Sequence, residues 1–248
     1  MLLTGKQPAE QLYCEIDERV RAASSVPGLF TLYDPEDKPA LWYLKSIQRA
    51  GTAHGIPVYA RTLSEGTELP KEKLGGMIVL SKPKSPISIP DELDVDGTGV
   101  GSFSALYKGG LKDYPPNTPC TAEACVRLLD YYEIPVSGKH VVILGRSLTV
   151  GRPLAMLLLD KNATVTLCHS KTENLADLCR QADILVCATG REGLVGKDHV
   201  RPGQTLINVG GDAVEEQVAP IVENLCPLKG GVGALTTAVL FRHVTDRL

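Results

Sequence analysis

The chain has 248 residues, a formal net charge of -3 and 43% hydrophobic residues. This length supplies enough core for one large α/β unit or for two modest domains. Lysine and arginine form no tract, so the charge pattern argues against a nucleic-acid partner. The first residues are too polar for a signal peptide, and no apolar run approaches the length of a membrane span. We therefore expect a cytoplasmic protein with neither a nucleic-acid nor a membrane partner.

Seven cysteines are scattered along the chain without a C-x-x-C pair. An odd number at irregular spacing is typical of reduced, buried thiols in a cytosolic protein. The sequence therefore implies no metal site.

The first 115 or so residues alternate helical and strand-like patterns. Leu12, Ile16 and Val20, for example, recur at helical spacing among charged residues. The elements predicted here are, in chain order, a helix at 8–23, a strand at 29–33, a turn at 34–39, a helix at 40–54, and strands at 57–61 and 76–80. The proline-rich segment 114–119 is the expected boundary of this first α/β unit, and a helix at 121–132 leads into the second.

The second unit is organised around residues 140–159. An apolar strand stops at Gly145, a polar turn follows, and apolar residues recur at helical spacing from Val150 to Leu159. Such a strand, turn and helix can present backbone N–H groups and the positive end of a helix dipole to a phosphate. Further strands at 164–168, 184–188 and 205–209, with a helix at 175–181, predict a parallel sheet whose first turn binds a dinucleotide.

Arg146 and Ser147 replace the middle of the common G-x-G-x-x-G pattern, so a glycine turn that merely links strand to helix is the alternative. The end of the second strand, Cys168-His-Ser-Lys-Thr172, has no carboxylate of the kind that holds the ribose of NAD. Arg146 and Ser170, with Lys171 as a third candidate, can instead bind a 2′-phosphate, which favours NADP. For Lys171 alone, a solvated surface charge is the alternative.

Five motifs occur together along the chain: Asp94-Val-Asp-Gly97, Pro119-Cys-Thr121, Gly145-Arg-Ser-Leu-Thr-Val-Gly-Arg-Pro153, Cys168-His-Ser-Lys-Thr172 and Gly230-Gly-Val-Gly233. In this order they resemble the family of bifunctional methylenetetrahydrofolate dehydrogenase and methenyltetrahydrofolate cyclohydrolase, known as FolD. The resemblance covers nearly the whole chain. It implies two α/β domains with a substrate cleft between them, NADP in the second, folate in the cleft, a role in one-carbon metabolism, and a homodimer.

The implied domains are a folate-binding catalytic domain at 1–117 and an NADP-binding Rossmann-like domain at 118–233. A last helix within 234–248 returns to the first domain. The implied cofactor contacts are Gly145, Arg146 and Ser147 in the turn, Ser170 near the adenosine ribose, and Gly211, whose backbone would face the nicotinamide. Asp96 matches the carboxylate that pairs with the amino and ring N–H groups of the pterin. Asp94 is expected to form a turn instead.

The family's catalytic helix carries a tyrosine and, one turn later, a lysine. Counting back from Gly55, this chain has Tyr43 at the tyrosine position and Ile47 at the lysine position. Lys45 lies only two positions from Tyr43 and points elsewhere on a helix, so we expect it to be solvated. Without the resemblance, Tyr43 could equally be a packed aromatic residue. On the folate side Ser81 also stands where the family has a glutamine.

These departures cluster around the substrate. Hydride transfer mainly requires that two rings be positioned, whereas hydrolysis needs proton transfers for which a positioned acid or base contributes ~10²–10⁴-fold. We therefore predict NADP-dependent oxidation of 5,10-methylenetetrahydrofolate with weak or absent cyclohydrolase activity. The alternatives are a divergent NADP-binding paralogue without folate turnover and a dehydrogenase that acts on a related pterin.

Overall fold

Two parallel β-sheets form the framework of the computed structural model, which describes residues 1–109 and 117–248. The first sheet contains β1 (Gly28–Tyr33), β2 (Val58–Thr62) and β3 (Leu74–Val79), in the order β2-β1-β3. β1 is the central strand, and its first five residues are buried. The boundary predicted at 114–119 falls partly on residues 110–116, which lie outside the described residues.

Three helices belong to the first part of the chain: α1 (Lys6–Ala22), α2 (Lys38–Ala53) and α3 (Val100–Lys108). α2 carries Tyr43 and Ile47, so its start fixes where both side chains point. The Asp37 carboxylate accepts a hydrogen bond from the Ala40 N–H at 3.1 Å, and Pro39 lies in the first turn. Both features favour a helix that begins at this point.

The second sheet contains five parallel strands in the order β5-β4-β6-β7-β8. They are β4 (His140–Leu144), β5 (Thr164–Cys168), β6 (Ile184–Cys187), β7 (Thr205–Asn208) and β8 (Asn224–Cys226). The accompanying helices are α4 (Cys120–Tyr131), α5 (Gly151–Asp160), α6 (Leu175–Gln181) and α7 (Glu215–Val218). The predicted parallel α/β sheet with crossover helices is confirmed.

The last helix, α8 (Val232–Thr245), packs against α1, α2, α4 and β3. One continuous set of buried apolar side chains therefore runs from Leu29 in β1 through α4 and α8 to Ile143 in β4. The start of the chain, which leads into the first sheet, also contacts the second sheet. The Leu3 N–H donates to the Leu225 carbonyl in the edge strand β8 at 2.8 Å. Both chain ends thus connect the two sheets.

Within the described ranges, no helix combines the length and the apolar composition that crossing a membrane requires. The same residues contain no group of three or more His, Cys, Asp or Glu side chains that could hold a metal ion.

Candidate active site

A cavity of about 530 Å³ lies at the carboxyl ends of β4, β5 and β6. Four of the residues predicted to contact the cofactor line it together: Gly145, Arg146, Ser147 and Ser170. β5 lies on one side of β4 and β6 on the other, so the sheet reverses its strand order here. In doubly wound α/β folds, ligands bind in the crevice at this reversal.

The turn after β4 needs glycine at two positions. Gly145 has φ +112°, and a Cβ there would lie 2.4 Å from the Ala188 carbonyl oxygen. A Cβ on Gly151 would lie 2.1 Å from the carbonyl oxygen of Gly145. The absence of side chains therefore lets β4, the loop after β6 and the start of α5 approach one another. A larger residue at either position would move the turn.

Ser147 organises the start of α5. Its hydroxyl oxygen accepts hydrogen bonds from the N–H groups of Val150 at 3.0 Å and Gly151 at 3.4 Å. A serine hydroxyl accepts two hydrogen bonds and donates one, so its own O–H remains able to donate to a ligand. Ser147 thus holds two backbone N–H groups at the start of α5 and offers a donor to a phosphate at the same time.

The charge of this cavity suits an anion. Its lining residues include the exposed Arg146 and Arg191, and among the described residues that form it none is Asp or Glu. The His169 Nδ1 accepts the Lys171 backbone N–H at 3.1 Å, which leaves the Nε2 of the neutral ring as a donor. The Lys171 side chain is not part of the lining. The arrangement fits a dinucleotide with an additional phosphate.

Arg146→Ala should weaken NADP binding about tenfold to 100-fold and leave NAD binding nearly unchanged. A hydrogen bond to a charged phosphate contributes roughly 1.5–3 kcal/mol, and only NADP carries the 2′-phosphate. Titration calorimetry with each dinucleotide measures the two affinities. Lys171→Met is the matched control, because it removes a neighbouring charge that does not line the cavity. Equal losses for both dinucleotides would contradict a 2′-phosphate contact.

Asp212 supports one wall of the cavity and was not predicted. It is fully buried, and its carboxylate accepts the N–H groups of Thr189 and Arg191 as well as the Thr189 hydroxyl. These bonds tie the loop after β6 to the loop after β7. Gly211, which precedes it, has φ +78° and lines neither this cavity nor the one described next.

A second cavity, of about 350 Å³, separates α2 from the second sheet and is called the cleft below. It is lined by Trp42, Tyr43, Ser46, Thr121, Val150, Ala188, Val209, Gly210, Val232, Gly233, Thr236 and Thr237. Ala188 lines the first cavity as well. A dinucleotide that starts on the turn after β4 can therefore extend past Ala188 and present its far end to the cleft.

The cleft wall formed by α2 contains two aromatic rings. Trp42 is 73% exposed and is the only tryptophan of the sequence, so its fluorescence reports on this cleft. Burial, followed by the nearby Cys120 and Asp96, raises the pKa of the Tyr43 phenol well above its usual value. Tyr43 is therefore a neutral hydrogen-bond donor at physiological pH and not a base.

The side chain one turn beyond Tyr43 does not reach the cleft. Ile47 is fully buried and belongs to the continuous apolar core, whereas Lys45 is exposed and does not line the cleft. The polar group that α2 adds beside Tyr43 is the hydroxyl of Ser46. Ser46 lies three positions after Tyr43, so both side chains are on one face of α2. This spacing is visible in the sequence and could have indicated Ser46 as a cleft residue.

Asp96 lies beside the cleft in the loop before α3. One carboxylate oxygen accepts the Cys120 N–H at 3.1 Å, and the next residue, Thr121, lines the cleft. Burial raises the Asp96 pKa, and this effect outweighs the opposing Cys120 hydrogen bonds. Gly97 holds the loop close to the chain before α4, because φ is +61° and a Cβ would lie 2.0 Å from the Asn117 carbonyl oxygen.

Asp94 and Ser81 have structural contacts. The fully buried Asp94 carboxylate accepts the N–H groups of Thr98 and Gly99 and the Ser102 hydroxyl, each within 3.0 Å. Asp94 therefore shapes the turn into α3, as expected from the sequence. The Ser81 hydroxyl accepts the Asp34 N–H at 3.0 Å and joins the ends of β1 and β3.

Comparison with known proteins decides the family. The model of the tetrahydrofolate dehydrogenase/cyclohydrolase NAD(P)-binding domain matches residues 119–248. The bifunctional protein FolD of Carboxydothermus hydrogenoformans is 47% identical, over 97% of this chain and 94% of that protein. The chain belongs to the FolD family. Membership confirms the resemblance that the five sequence motifs indicated.

Solved FolD-family structures share the whole architecture. The methylenetetrahydrofolate dehydrogenase-cyclohydrolase of Trypanosoma brucei, complexed with NADP cofactor and inhibitor, has a TM-score of 0.89 at 27% identity, over 100% of this chain and 97% of that one. The 5,10-methylenetetrahydrofolate dehydrogenase of the silkworm Bombyx mori has a TM-score of 0.85 at 30% identity, over 99% and 97%. The roles of individual side chains in this FolD-family chain stay predictions.

Proposed function

We propose that this chain oxidises 5,10-methylenetetrahydrofolate to 5,10-methenyltetrahydrofolate with NADP, in one-carbon metabolism, and hydrolyses the methenyl product weakly or not at all. The observation that carries the proposal is the meeting of two cavities at Ala188. One has the glycine turn and the positive charge that a dinucleotide phosphate needs. The other carries Tyr43 and lies beside Asp96.

NADP fits the first cavity on three grounds. Gly145 and Gly151 leave space where a Cβ would collide with backbone, Ser147 keeps a free O–H donor, and Arg146 supplies a cation beside Ser170. The Trypanosoma brucei relative is complexed with NADP. When bound, NADP supplies the acceptor for the hydride that leaves the one-carbon bridge.

The protein's own part in this step is to bind and to orient. Asp96 would accept hydrogen bonds from the amino and ring N–H groups of the pterin, which fixes how far the folate enters the cleft. Tyr43 would cover the reacting rings and donate from its neutral hydroxyl. The apolar side chains of Val150 and Val209 line the same cleft and would help to exclude water from it. Positioning of this kind can supply much of the rate of a hydride transfer.

In the part of the chain that the structure describes, the cleft lacks a side chain that could act as the acid or base in hydrolysis of the methenyl product. It requires an activated water and a group that exchanges protons near neutral pH. Tyr43 is the one ionisable side chain among the described residues that line the cleft, and its raised pKa keeps it neutral. Ile47, at the family's lysine position, is buried and can neither donate nor accept a proton. Ser46 can hold a water but cannot act as a base.

The proposal extends to the organisation of the molecule. We assign 1–117 to a folate-binding domain and 118–233 to the NADP-binding domain, with 234–248 returning to the first, an assignment supported by the packing of α8 on α1 and β3. A homodimer located in the cytoplasm follows from the family resemblance. Light scattering of the purified protein measures the oligomeric state.

The test is to assay both steps on the purified protein. We expect NADPH to form with methylenetetrahydrofolate, and methenyltetrahydrofolate to be lost at close to its uncatalysed rate. Lys45→Met is the matched variant, and it should leave both rates unchanged because Lys45 is exposed outside the cleft. Rapid methenyl hydrolysis, with or without Lys45, would contradict our interpretation of Ile47. NADP binding without any oxidation would indicate a paralogue that does not turn over folate.

A further inference from the structure

A buried group of polar side chains lies directly behind Asp96 and takes no part in the reaction described above. It consists of His243 on α8 and Glu123 and Cys120 on α4, which are 6%, 0% and 0% exposed. The sequence separates His243 from Glu123 by 120 positions. A buried histidine and carboxylate of this kind require a reason, since burying either charge alone is costly.

The hydrogen bonds define the state of His243. Its Nδ1 lies 2.8 Å from the Val95 carbonyl oxygen and its Nε2 lies 3.0 Å from Glu123 Oε2. A carbonyl can only accept, and an ionised carboxylate can only accept, so both ring nitrogens must carry hydrogen. His243 is therefore an imidazolium that is paired with the Glu123 carboxylate.

The charges around the pair agree with this assignment. Burial lowers the His243 pKa, but the hydrogen bond and the charge of Glu123 overcome this effect and raise it above its usual value. Burial raises the Glu123 pKa, but His243 and then Arg127 bring it below its usual value. The Arg127 Nε lies 2.6 Å and an Arg242 terminal nitrogen 3.7 Å from Glu123 Oε1.

Other elements that pack against α8 contribute little charge here. From α1, Arg19 pairs with Asp246, whose charge also favours the charged His243. β3 carries no ionisable side chain. Besides Tyr43, the ionisable residues of α2 are all exposed: Lys38, Lys45 and Arg49. The state of His243 thus depends mainly on Glu123.

His243 and its neighbour Cys120 both contact the chain at Asp96. The Val95 carbonyl accepts from His243 and from the Cys120 thiol at 3.2 Å, so the peptide that precedes Asp96 is held from both sides. The Cys120 N–H also donates to Asp96 Oδ1. In addition, the His243 charge opposes the rise of the Asp96 pKa. Loss of the proton on His243 would remove one of its two hydrogen bonds and the cation together.

We propose that His243, held as a cation by Glu123, is a positioning residue that fixes the Asp96 carboxylate for binding the pterin ring. This inference rests on the proposed function. Because His243 positions Asp96, folate affinity depends on the protonation of a residue that does not touch the substrate. Folate binds well while His243 is charged, and binding weakens as the pH rises through the His243 pKa.

The experiment measures tetrahydrofolate affinity against pH by the fluorescence of Trp42, with NADP affinity and thermal unfolding as parallel readouts. The wild-type affinity should fall about tenfold above the His243 pKa. Below the wild-type His243 pKa, and while Asp96 is still ionised, His243→Asn should bind tetrahydrofolate about tenfold more weakly than wild type, and it should show no such transition. Glu123→Gln should move the transition to lower pH, because the pKa of His243 then loses its main support. NADP affinity should be unchanged in both variants.

His54→Asn is the matched control, because His54 also pairs with a carboxylate, Asp17 at 2.7 Å, but away from Asp96. It should leave the pH transition in place. If Glu123→Gln does not fold, because two arginines lose their carboxylate, His243→Asn decides. Wild-type affinity and pH dependence in His243→Asn, or equal losses for folate and NADP, would overturn the inference. Wild-type protein that binds tetrahydrofolate but does not oxidise 5,10-methylenetetrahydrofolate with NADP would instead overturn the proposed function alone.

Discussion

Asp96→Asn should weaken folate binding by roughly 10²–10³-fold, because two charge-assisted hydrogen bonds from the pterin lose their acceptor. An asparagine amide has one acceptor oxygen, and its NH₂ group would face a donor on the ring. The affinity for NADP should be unchanged, since Asp96 does not line the cofactor cavity. Steady-state kinetics with each substrate varied in turn would show the loss as a raised KM for folate.

The pH dependence gives a second readout for Asp96. Burial raises its pKa, so the carboxylate becomes protonated at a higher pH than an ordinary aspartate. Wild-type folate affinity should accordingly fall on the acid side as the pH drops through this raised pKa, and Asp96→Asn should lack that fall. Glu92→Gln, at an exposed position four residues before Asp96, is the control. An unchanged folate KM in Asp96→Asn would show that the Asp96 carboxylate does not bind the folate.

Gly145→Ala should destabilise the fold by roughly 2–5 kcal/mol and reduce NADP affinity at least tenfold. The alanine would have to adopt φ +112°, and its Cβ would lie 2.4 Å from the Ala188 carbonyl oxygen. The strained backbone costs about 1–3 kcal/mol and the overpacking a similar amount. Denaturant unfolding and calorimetric titration of NADP measure the two effects.

Gly203→Ala is the control that separates the cost of backbone strain from the cost of the Cβ contact with Ala188. Gly203 also has positive φ, +77°, but only the end of the Arg201 side chain lies within 4 Å of the Cβ position, at 3.9 Å. It lies just before the amino end of β7, whereas the cofactor cavity lies at the carboxyl ends of β4, β5 and β6. We expect a loss of about 1–2 kcal/mol from the backbone and no change in NADP affinity. Equal effects of the two substitutions on NADP binding would contradict a role for the turn after β4.

The cofactor turn was predictable because its signals are local. Gly145, Arg146 and Ser147 are adjacent in sequence, and Ser170 follows the next strand. Parallel strands place their carboxyl ends at one edge, so residues that follow neighbouring strands must converge there. The structure brings these four to one cavity for that reason.

Other features were not predictable from local patterns. β8 has three residues, which is too short to show a period, and α3 begins with Val100, which is 86% exposed and gives no amphipathic signal. The contacts of Asp212 and the pairing of Glu123 with His243 join residues that are distant in sequence. With one sequence, nothing indicates that such residues meet, because the meeting depends on how α8 returns to the first sheet.

The crossing of both chain ends has a consequence for how this protein folds. The start of the chain pairs with β8 of the second sheet through a bridge between Leu2 and Leu225, while α8 lies on α1 and on β3 of the first sheet. Contacts between residues more than 200 positions apart must therefore form before either sheet is fully enclosed, and such a high contact order slows folding. The nucleotide-binding half alone would lack α8 and would leave the apolar face of α4 that packs on it in water, so we expect it not to fold on its own. Cooperativity of the whole molecule is thus built into its connectivity.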